Sequence, residues 1–199
     1  MGRAGYGKYP PQSYAWASRP AAADWEGEFI RVTDVGLEGS LWISNGSLWV
    51  PANGGVILAQ SGASVTAPAN DTNENTLATI SIKGGVMGLN GALRIYTLWT
   101  VTNSGNNKTQ RIKLGVTTFS TLTVTAVATV GMIPVLYNRN SAASQVCHPT
   151  GAITGTSGSA ITTGTIDTSA DANLTITAQK ATGTELIRLE AYTVELITP

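Results

Sequence analysis

Ser40-Leu41-Trp42-Ile43-Ser44-Asn45-Gly46-Ser47-Leu48-Trp49-Val50 places an Asn-Gly dipeptide between two short apolar runs. Asn-Gly is the strongest dipeptide indication of a two-residue type I′ hairpin. Such a turn pairs Ser44 with Ser47 and brings Trp42 and Trp49 side by side on one face. The opposite face is also apolar, and an isolated hairpin is marginally stable in water. We therefore expect this hairpin to be sandwiched between the body of its own chain, residues 54–199, and a neighbouring chain.

From about residue 54 onward, short runs that alternate apolar and polar residues are separated by Gly, Pro and Asn. Residues 92–102 illustrate the pattern, because Leu93, Ile95, Trp99 and Val101 fall on one face of a strand. The polar residues 103–107 are expected to turn this strand into an antiparallel hairpin with residues 109–117. Similar runs recur at short spacing to residue 197, and none has a helical stripe of useful length. The sequence predicts an all-β fold, an antiparallel β-sandwich or jelly roll.

The amino-terminal region is unusually aromatic, since residues 1–50 hold 8 of the 13 aromatic side chains of the chain. Prolines and glycines in residues 1–24 prevent a self-covering helix. We therefore expect an extended arm, residues 1–28, whose rings are buried by another protein. Residues 29–53 form a strand and the tryptophan-bearing hairpin, and residues 54–199 form the body. The candidate partner-binding residues are the basic and aromatic side chains of the arm, namely Arg3, Tyr6, Lys8, Tyr9, Tyr14, Trp16, Arg19 and Trp25.

The composition is low in charge and rich in hydroxyls. Charged residues make up 12% of the chain, with 12 basic and 12 acidic side chains, whereas there are 28 Thr and 15 Ser. A neutral surface provides no global field to attract nucleic acid. The most apolar stretch, residues 124–137, is too short and too interrupted to cross a bilayer, and no secretory signal is apparent. We expect a protein made in the cytoplasm that binds neither nucleic acid nor membranes.

Residues that carry chemistry are scarce. Cys147 and His148 are adjacent, so on a strand they point to opposite faces and cannot form a nucleophile pair. Residues 71–75 imitate the start of a calcium loop but lack its glycine and closing glutamate, and we interpret them as a polar turn. Asp167 and Asp171 flank another turn, where a cation or a carboxylate pair for glycoside cleavage is an alternative to a solvated surface. The sequence predicts no catalytic residue, no metal site and no cofactor.

Several framework segments resemble small virion surface proteins of tailed bacteriophages, described as head-decoration or tail-fibre proteins. The segments that carry this resemblance are 29–34, 40–46, 48–51, 77–80, 93–95, 98–103 and 189–195. The resemblance covers most of residues 29–199 and implies a trimeric β-sandwich or jelly-roll knob on the surface of the particle. It supplies no catalytic residues.

Three functions follow from these observations. The first is a non-enzymatic homotrimer that decorates and cements a phage head, with its arm on the major capsid protein. The second is a short tail fibre or receptor-binding protein that attaches to baseplate or tail proteins and contacts host glycan. Against the fibre stands the absence of a coiled-coil heptad or a repetitive shaft. The third is a glycan depolymerase that uses Asp167, Asp171 or Glu74.

Overall fold

The structure, a computed structural model, describes residues 11–150 and 160–198. The chain divides into two compact units, residues 1–56 and 57–199. Both units consist of β-strands, with two short 3-10 turns in the first. The prediction of an all-β fold built from antiparallel sheets is confirmed. In the described part of the chain, no helix has the length and apolar character needed to span a membrane.

The first unit is a four-stranded sheet in the order β1-β2-β3-β4. Its strands are β1 (Gln12–Tyr14), β2 (Phe29–Val32), β3 (Ser40–Ser44) and β4 (Trp49–Pro51). β1 pairs with β2 in parallel, while the other pairings are antiparallel. Parallel neighbours cannot be joined by a tight turn, so the chain must cross over between them. This crossover contains the 3-10 turns Trp16–Ser18 and Ala22–Asp24.

The crossover corrects the prediction of an extended arm. Residues 11–28 follow a compact path, and Trp16 and Ala22 are buried within it. Proline and glycine do exclude a regular helix here, but 3-10 turns and extended residues can cover a sheet without one. The part of the predicted arm before Pro11 lies outside the described residues.

The turn of the predicted hairpin has a different register from the expected one. Ser44 pairs with Trp49, and Trp42 pairs with Pro51. The loop is longer because Asn45 Oδ1 accepts hydrogen bonds from the backbone N–H groups of Ser47 and Leu48, at 3.0 and 2.8 Å. Gly46 takes a positive φ of 82° but Asn45 does not, so the type I′ turn does not form. Trp42 and Trp49 still share one face, offset along the strands.

The second unit contains two antiparallel sheets. Its strands are β5 (Gly55–Ser61), which begins at the unit boundary, β6 (Val65–Thr66), β7 (Asn75–Ile82), β8 (Ala92–Val101), β9 (Lys108–Leu114), β10 (Thr117–Val124), β11 (Thr129–Met132), β12 (Val135–Asn138), β13 (Gln145–Cys147), β14 (Thr162–Gly164), β15 (Ala172–Lys180) and β16 (Ile187–Ile197). The smaller sheet has the order β10-β9-β15-β7. The larger has the order β14-β13-β12-β8-β16-β5, with β11 also on β8 and β6 also on β16.

Alternation along the strands supplies the core of this unit. Leu93, Ile95, Trp99 and Val101 of β8 are all buried, as the sequence predicts. Ile112 and Leu114 of β9 are buried as well, but Val116, which continued alternation would place on the same face, is 91% exposed. β9 ends at Leu114, and Gly115 turns the chain with a φ of 54°, so Val116 leaves the face of the sheet.

The predicted hairpin between β8 and β9 is wrong, because these strands belong to different sheets. β8 pairs with β16, β11 and β12, whereas β9 pairs with β10 and β15. The connecting loop is held by polar contacts: Ser104 Oγ donates to Glu185 Oε1, and Asn106 Nδ2 donates to the same oxygen at 3.1 Å. These bonds lower the pKa of Glu185, first through Ser104. The loop therefore passes from one sheet to the other.

A network of hydrogen bonds in the larger sheet centres on the side chain of Gln145, which is fully buried. Its Nε2 donates to Asn138 Oδ1, Ala142 O and Ile166 O at 3.1, 3.0 and 2.9 Å. Its Oε1 accepts from the Ile166 N–H at 2.9 Å. Gln145 thus ties two loop segments to β13.

Gln145→Leu is expected to destabilise the protein by about 3 kcal/mol, because it keeps the volume but leaves several buried polar groups without partners. The measurement is the free energy of unfolding in urea. Gln179→Leu is the matched control, since Gln179 bonds at the protein surface, and it should cost less than about 1 kcal/mol. Equal losses for the two variants would contradict the assignment of a structural role to the network.

Candidate partner-binding surfaces

One face of the first unit is closed by the chain itself. The Trp16 ring lies 4.7 Å from the Trp42 ring, centroid to centroid, and the Arg19 guanidinium carbon lies 3.6 Å over Trp16. Trp16 is 5% exposed and Trp42 is fully buried. Partial burial lowers the pKa of Arg19, which stays protonated at neutral pH and makes a cation-π contact.

Hydrogen bonds fix the crossover on this face. Trp49 Nε1 donates to Pro20 O at 2.8 Å, and Ser44 Oγ donates to Ala22 O at 2.6 Å. The Trp16 N–H donates to Asp34 Oδ1 at 2.6 Å. The crossover is therefore joined to the sheet side chains through two of its carbonyl groups, and its Trp16 N–H group is bonded to Asp34.

The expectation that a foreign chain covers Trp16 is therefore wrong. Its ring area is buried by Trp42 and Arg19 of the same unit, and this intramolecular burial needs no association. The hairpin tryptophans Trp42 and Trp49 are packing residues, but their partners are residues of the crossover. Sequence alone shows that these rings need cover and does not show which chain supplies it.

Three candidate residues of the crossover region remain partly accessible: Tyr14, Arg19 and Trp25. The Tyr14 and Trp25 rings meet edge to face, with centroids 6.4 Å apart and an interplanar angle of 84°. Trp25 also lies 6.4 Å from Trp49. These rings form a continuous aromatic edge beside the closed face. Arg3, Tyr6, Lys8 and Tyr9 lie outside the described residues.

The opposite face of the same sheet is apolar and exposed, and we call it the open face. Its apolar residues come from β2, the hairpin strands and their loop, namely Phe29, Leu41, Ile43, Leu48 and Val50. The exposed Arg31 of β2 lies on the same face, in register with Leu41. Register places Phe29 beside Ile43, and Ile43 beside Val50. Leu48 is 57% exposed, and Phe29 and Leu41 are also exposed. Contiguous apolar surface of this kind marks interaction sites.

The first unit carries an excess of acidic side chains. Residues 11–56 contain two arginines, Arg19 and Arg31, against the five carboxylates Asp24, Glu26, Glu28, Asp34 and Glu38. All five acidic residues are exposed. A partner that fits this unit therefore presents an apolar centre with basic residues at its rim.

No family model matches the chain, and no curated protein matches it. Among solved structures, the chain is similar to a chain in the structure of infectious bursal disease virus, Gx strain, with 11% sequence identity and a TM-score of 0.22. The match covers 85% of this chain and 46% of the viral chain, so this chain spans less than half the length of that protein. At this TM-score the likeness supports no conclusion about fold or function.

The reactive side chains considered from the sequence are engaged in structural contacts. Cys147 is buried, and burial raises the pKa of its thiol to about 11. His148 Nδ1 lies 3.2 Å from Thr150 Oγ1. A protonated buried thiol is a poor nucleophile.

Cys147 is expected to react slowly with iodoacetamide at pH 8. The pKa of the thiol moves from 9.0 to about 11, so the thiolate fraction falls by roughly 100-fold. Mass spectrometry of the native protein over time measures the rate, and the protein in urea is the control, in which alkylation should be fast. Equal rates in the two states would show that the thiol is not held in the interior.

The carboxylates proposed for glycan cleavage have separate partners. Glu74 Oε1 accepts from Lys113 Nζ at 3.1 Å and from Thr177 Oγ1, and Glu74 Oε2 lies 3.4 Å from Arg111. Partial burial would raise the pKa of Glu74, but these contacts together lower it. Asp167 accepts two hydrogen bonds from Ser169, while Asp171 accepts from the Gly84 N–H and pairs with Lys83. A general acid needs a raised pKa, whereas the contacts of Glu74 and Asp167 lower the pKa of each carboxyl.

The polar turn at residues 71–75 is built around Asp71. Asp71 Oδ1 accepts from the Asn73 N–H at 2.8 Å, and Oδ2 accepts from Asn75 Nδ2 at 3.0 Å. These bonds, the backbone one first, lower the pKa of Asp71. Amide donors thus occupy the carboxylate oxygens that a cation would need. Within residues 11–150 and 160–198, no three His, Cys, Asp or Glu side chains are grouped so that they could hold a metal ion.

Sequence reasoning missed the open face as the accessible surface of this unit. It predicted that both faces of the hairpin are apolar, but it assigned the attachment residues to the arm. The alternation in residues 41–50 indicates this face, because Leu41, Ile43, Leu48 and Val50 point to the side of the hairpin opposite the tryptophans.

Proposed function

We propose that the chain is a non-enzymatic structural protein of a tailed-phage virion, a homotrimer that decorates and stabilises the head. In this proposal the first unit binds the major capsid protein and the second unit projects from the virion surface. The observation that carries the proposal is the open face, an exposed apolar surface on a small unit whose other face is already closed by the same chain.

The structure of the first unit suits attachment. Its closed face fixes the sheet with buried rings and hydrogen bonds, so binding does not require the sheet to order. The open face then presents pre-organised side chains, of which Phe29 and Leu48 are the most prominent anchors. Apolar anchors inside a charged rim are typical of binding hot spots.

The basic and aromatic residues predicted from the sequence belong to this proposal as well. Tyr14, Arg19 and Trp25 are partly accessible, and Arg3, Tyr6, Lys8 and Tyr9 precede them in the sequence. We propose that these residues also contact the capsid. Three copies per trimer would add avidity.

A tail-fibre role is the second candidate, and one observation favours it. Tyr96 and Tyr137 are exposed on the larger sheet of the second unit, and tyrosine rings on a rigid sheet are suitable for stacking on sugar rings. In that case the first unit binds baseplate or tail proteins and the second unit holds host glycan. No cofactor is required in either case.

Imaging of purified particles distinguishes these functions. A head decoration protein is expected in hundreds of copies at regular positions on the capsid surface, with the first unit against the capsid. A few copies or a few dozen at the tail would support the fibre and reject the decoration role. Absence of the protein from the particle would reject both.

A further inference from the structure

The two sheets of the second unit have outer faces of opposite character. On the smaller sheet, Glu74, Lys113, Arg111 and Gln179 form an ordered polar network, with Arg111 Nη2 donating to Gln179 Oε1 at 3.0 Å. The charged groups of this surface pair with one another, so the surface requires no partner.

The larger sheet presents an apolar outer face. Because Leu93, Ile95, Thr97 and Trp99 point inward, Arg94, Tyr96 and Leu98 point outward. Together with neighbouring strands they form what we call the outer patch, Tyr96, Leu98, Ile133, Val135 and Tyr137. Tyr137 is 49% exposed, and Val135 is half-buried.

Cross-strand register makes Leu98 protrude from this patch. Its neighbours are Gly131 on β11 and Ala191 on β16, both small. Val146 on β13 lies beside Tyr137, and Thr163 on β14 lies beside Val146. The patch therefore has a projecting leucine at one end and a flat apolar row at the other.

The charge pattern favours a protein partner on this face. Between Leu114 and Ile166 the sequence has one charged residue, Arg139, and this range includes β11, β12 and β13. Depletion of charge together with enrichment in tyrosine characterises the centre of protein interfaces. A glycan site would require several convergent polar groups among the rings.

One ion pair on this face is compatible with a second copy of the chain as the partner. Arg94 Nε donates to Glu195 Oε2 at 2.9 Å, both residues lie within the apolar face, and both side chains are partly accessible. Arg94 is in register with Val135 and with Glu195. Opposite charges side by side are self-complementary: three copies around an axis place Arg and Glu in an alternating ring.

We propose that the outer patch is the contact between copies of this chain, with the larger sheets facing the three-fold axis of the trimer. This inference rests on the proposed homotrimer and specifies its interface. A stable contact needs about 800 Å² from each copy, so it extends from the patch over Val146 and Thr163.

The test is the mass of the full chain and its variants at 10 µM, measured by sedimentation equilibrium. The wild type is expected at three times 20.6 kDa. Leu98→Asp, Arg94→Glu and Glu195→Arg should each weaken association at least 100-fold, the last two because six like charges then meet at the axis. The double variant R94E/E195R restores the alternation and should return to the trimer. Lys113→Glu, on the polar face, is the matched control and should stay trimeric.

The outcomes separate this inference from the proposed function. If the wild type is trimeric and the three single variants remain trimers, the interface lies elsewhere, and the inference fails while the decoration role stands. A monomeric or dimeric wild type overturns both the trimer and this interface, but not attachment through the open face. Thermal unfolding of the charge variants, whose substituted residues are partly accessible, shows that loss of the trimer is not loss of the fold.

Discussion

Replacing Trp16 by alanine is expected to unfold the first unit and to leave the second unit folded. Removal of a large buried ring costs about 3–5 kcal/mol. The first unit is short, and small units have little stability to lose. The Trp16 ring also supports Arg19 and covers Trp42, so one substitution removes the centre of the closed face.

Calorimetry and tryptophan emission measure this effect. The first unit of the variant should already be unfolded at 25 °C, so its calorimetric transition should be absent. The tryptophan emission should move to longer wavelength because Trp42 and Trp49 become hydrated. Leu48→Ala is the control in the same unit, since Leu48 is exposed, and its effect on stability should stay within about 0.5 kcal/mol. Unchanged melting and emission of the Trp16→Ala variant would mean that the chain does not bury this ring itself.

The double variant Leu41→Asp/Leu48→Asp is expected to lose binding to the particle. Both side chains are exposed on the open face, so the unit should still fold. Two apolar anchors contribute about 2 kcal/mol each to binding, which corresponds to a loss of affinity of at least 100-fold. The affinity is measured with particles from which the wild-type protein has been removed.

Val116→Asp is the matched control for this variant. Val116 is 91% exposed in the turn before β10 of the second unit, and its replacement introduces the same carboxylate. It should bind as the wild type does. If the double variant binds equally well and its tryptophan emission shows a folded unit, attachment does not use the open face.

The fold class was predictable because alternation is local information. Leu93, Ile95, Trp99 and Val101 are assigned to the core from spacing alone, and all four are buried. The pairing of the strands was not predictable in the same way. Residues 103–107 suit a hairpin turn or a crossing between sheets, and distant contacts with Glu185 and with β15 and β16 decide between them.

The covered and the accessible surfaces of the first unit were also only partly predictable from the sequence. The sequence shows that Trp16 needs cover, but whether Trp42 or a foreign chain provides it depends on a crossover without a helical or strand pattern. The hairpin register depended on one side chain, Asn45, which bonds two backbone N–H groups and lengthens the loop. Both faces of the hairpin were correctly predicted as apolar, so the open face follows once the crossover is assigned to the other side.

Hydroxyl-radical footprinting of the protein, free and bound to particles, tests attachment through the open face most directly. Phe29, Leu41 and Leu48 should be oxidised in the free protein and protected at least several-fold on the particle, while Val116 is oxidised equally in both states. Equal oxidation of Phe29 and Leu48 in the free and bound protein would contradict the account.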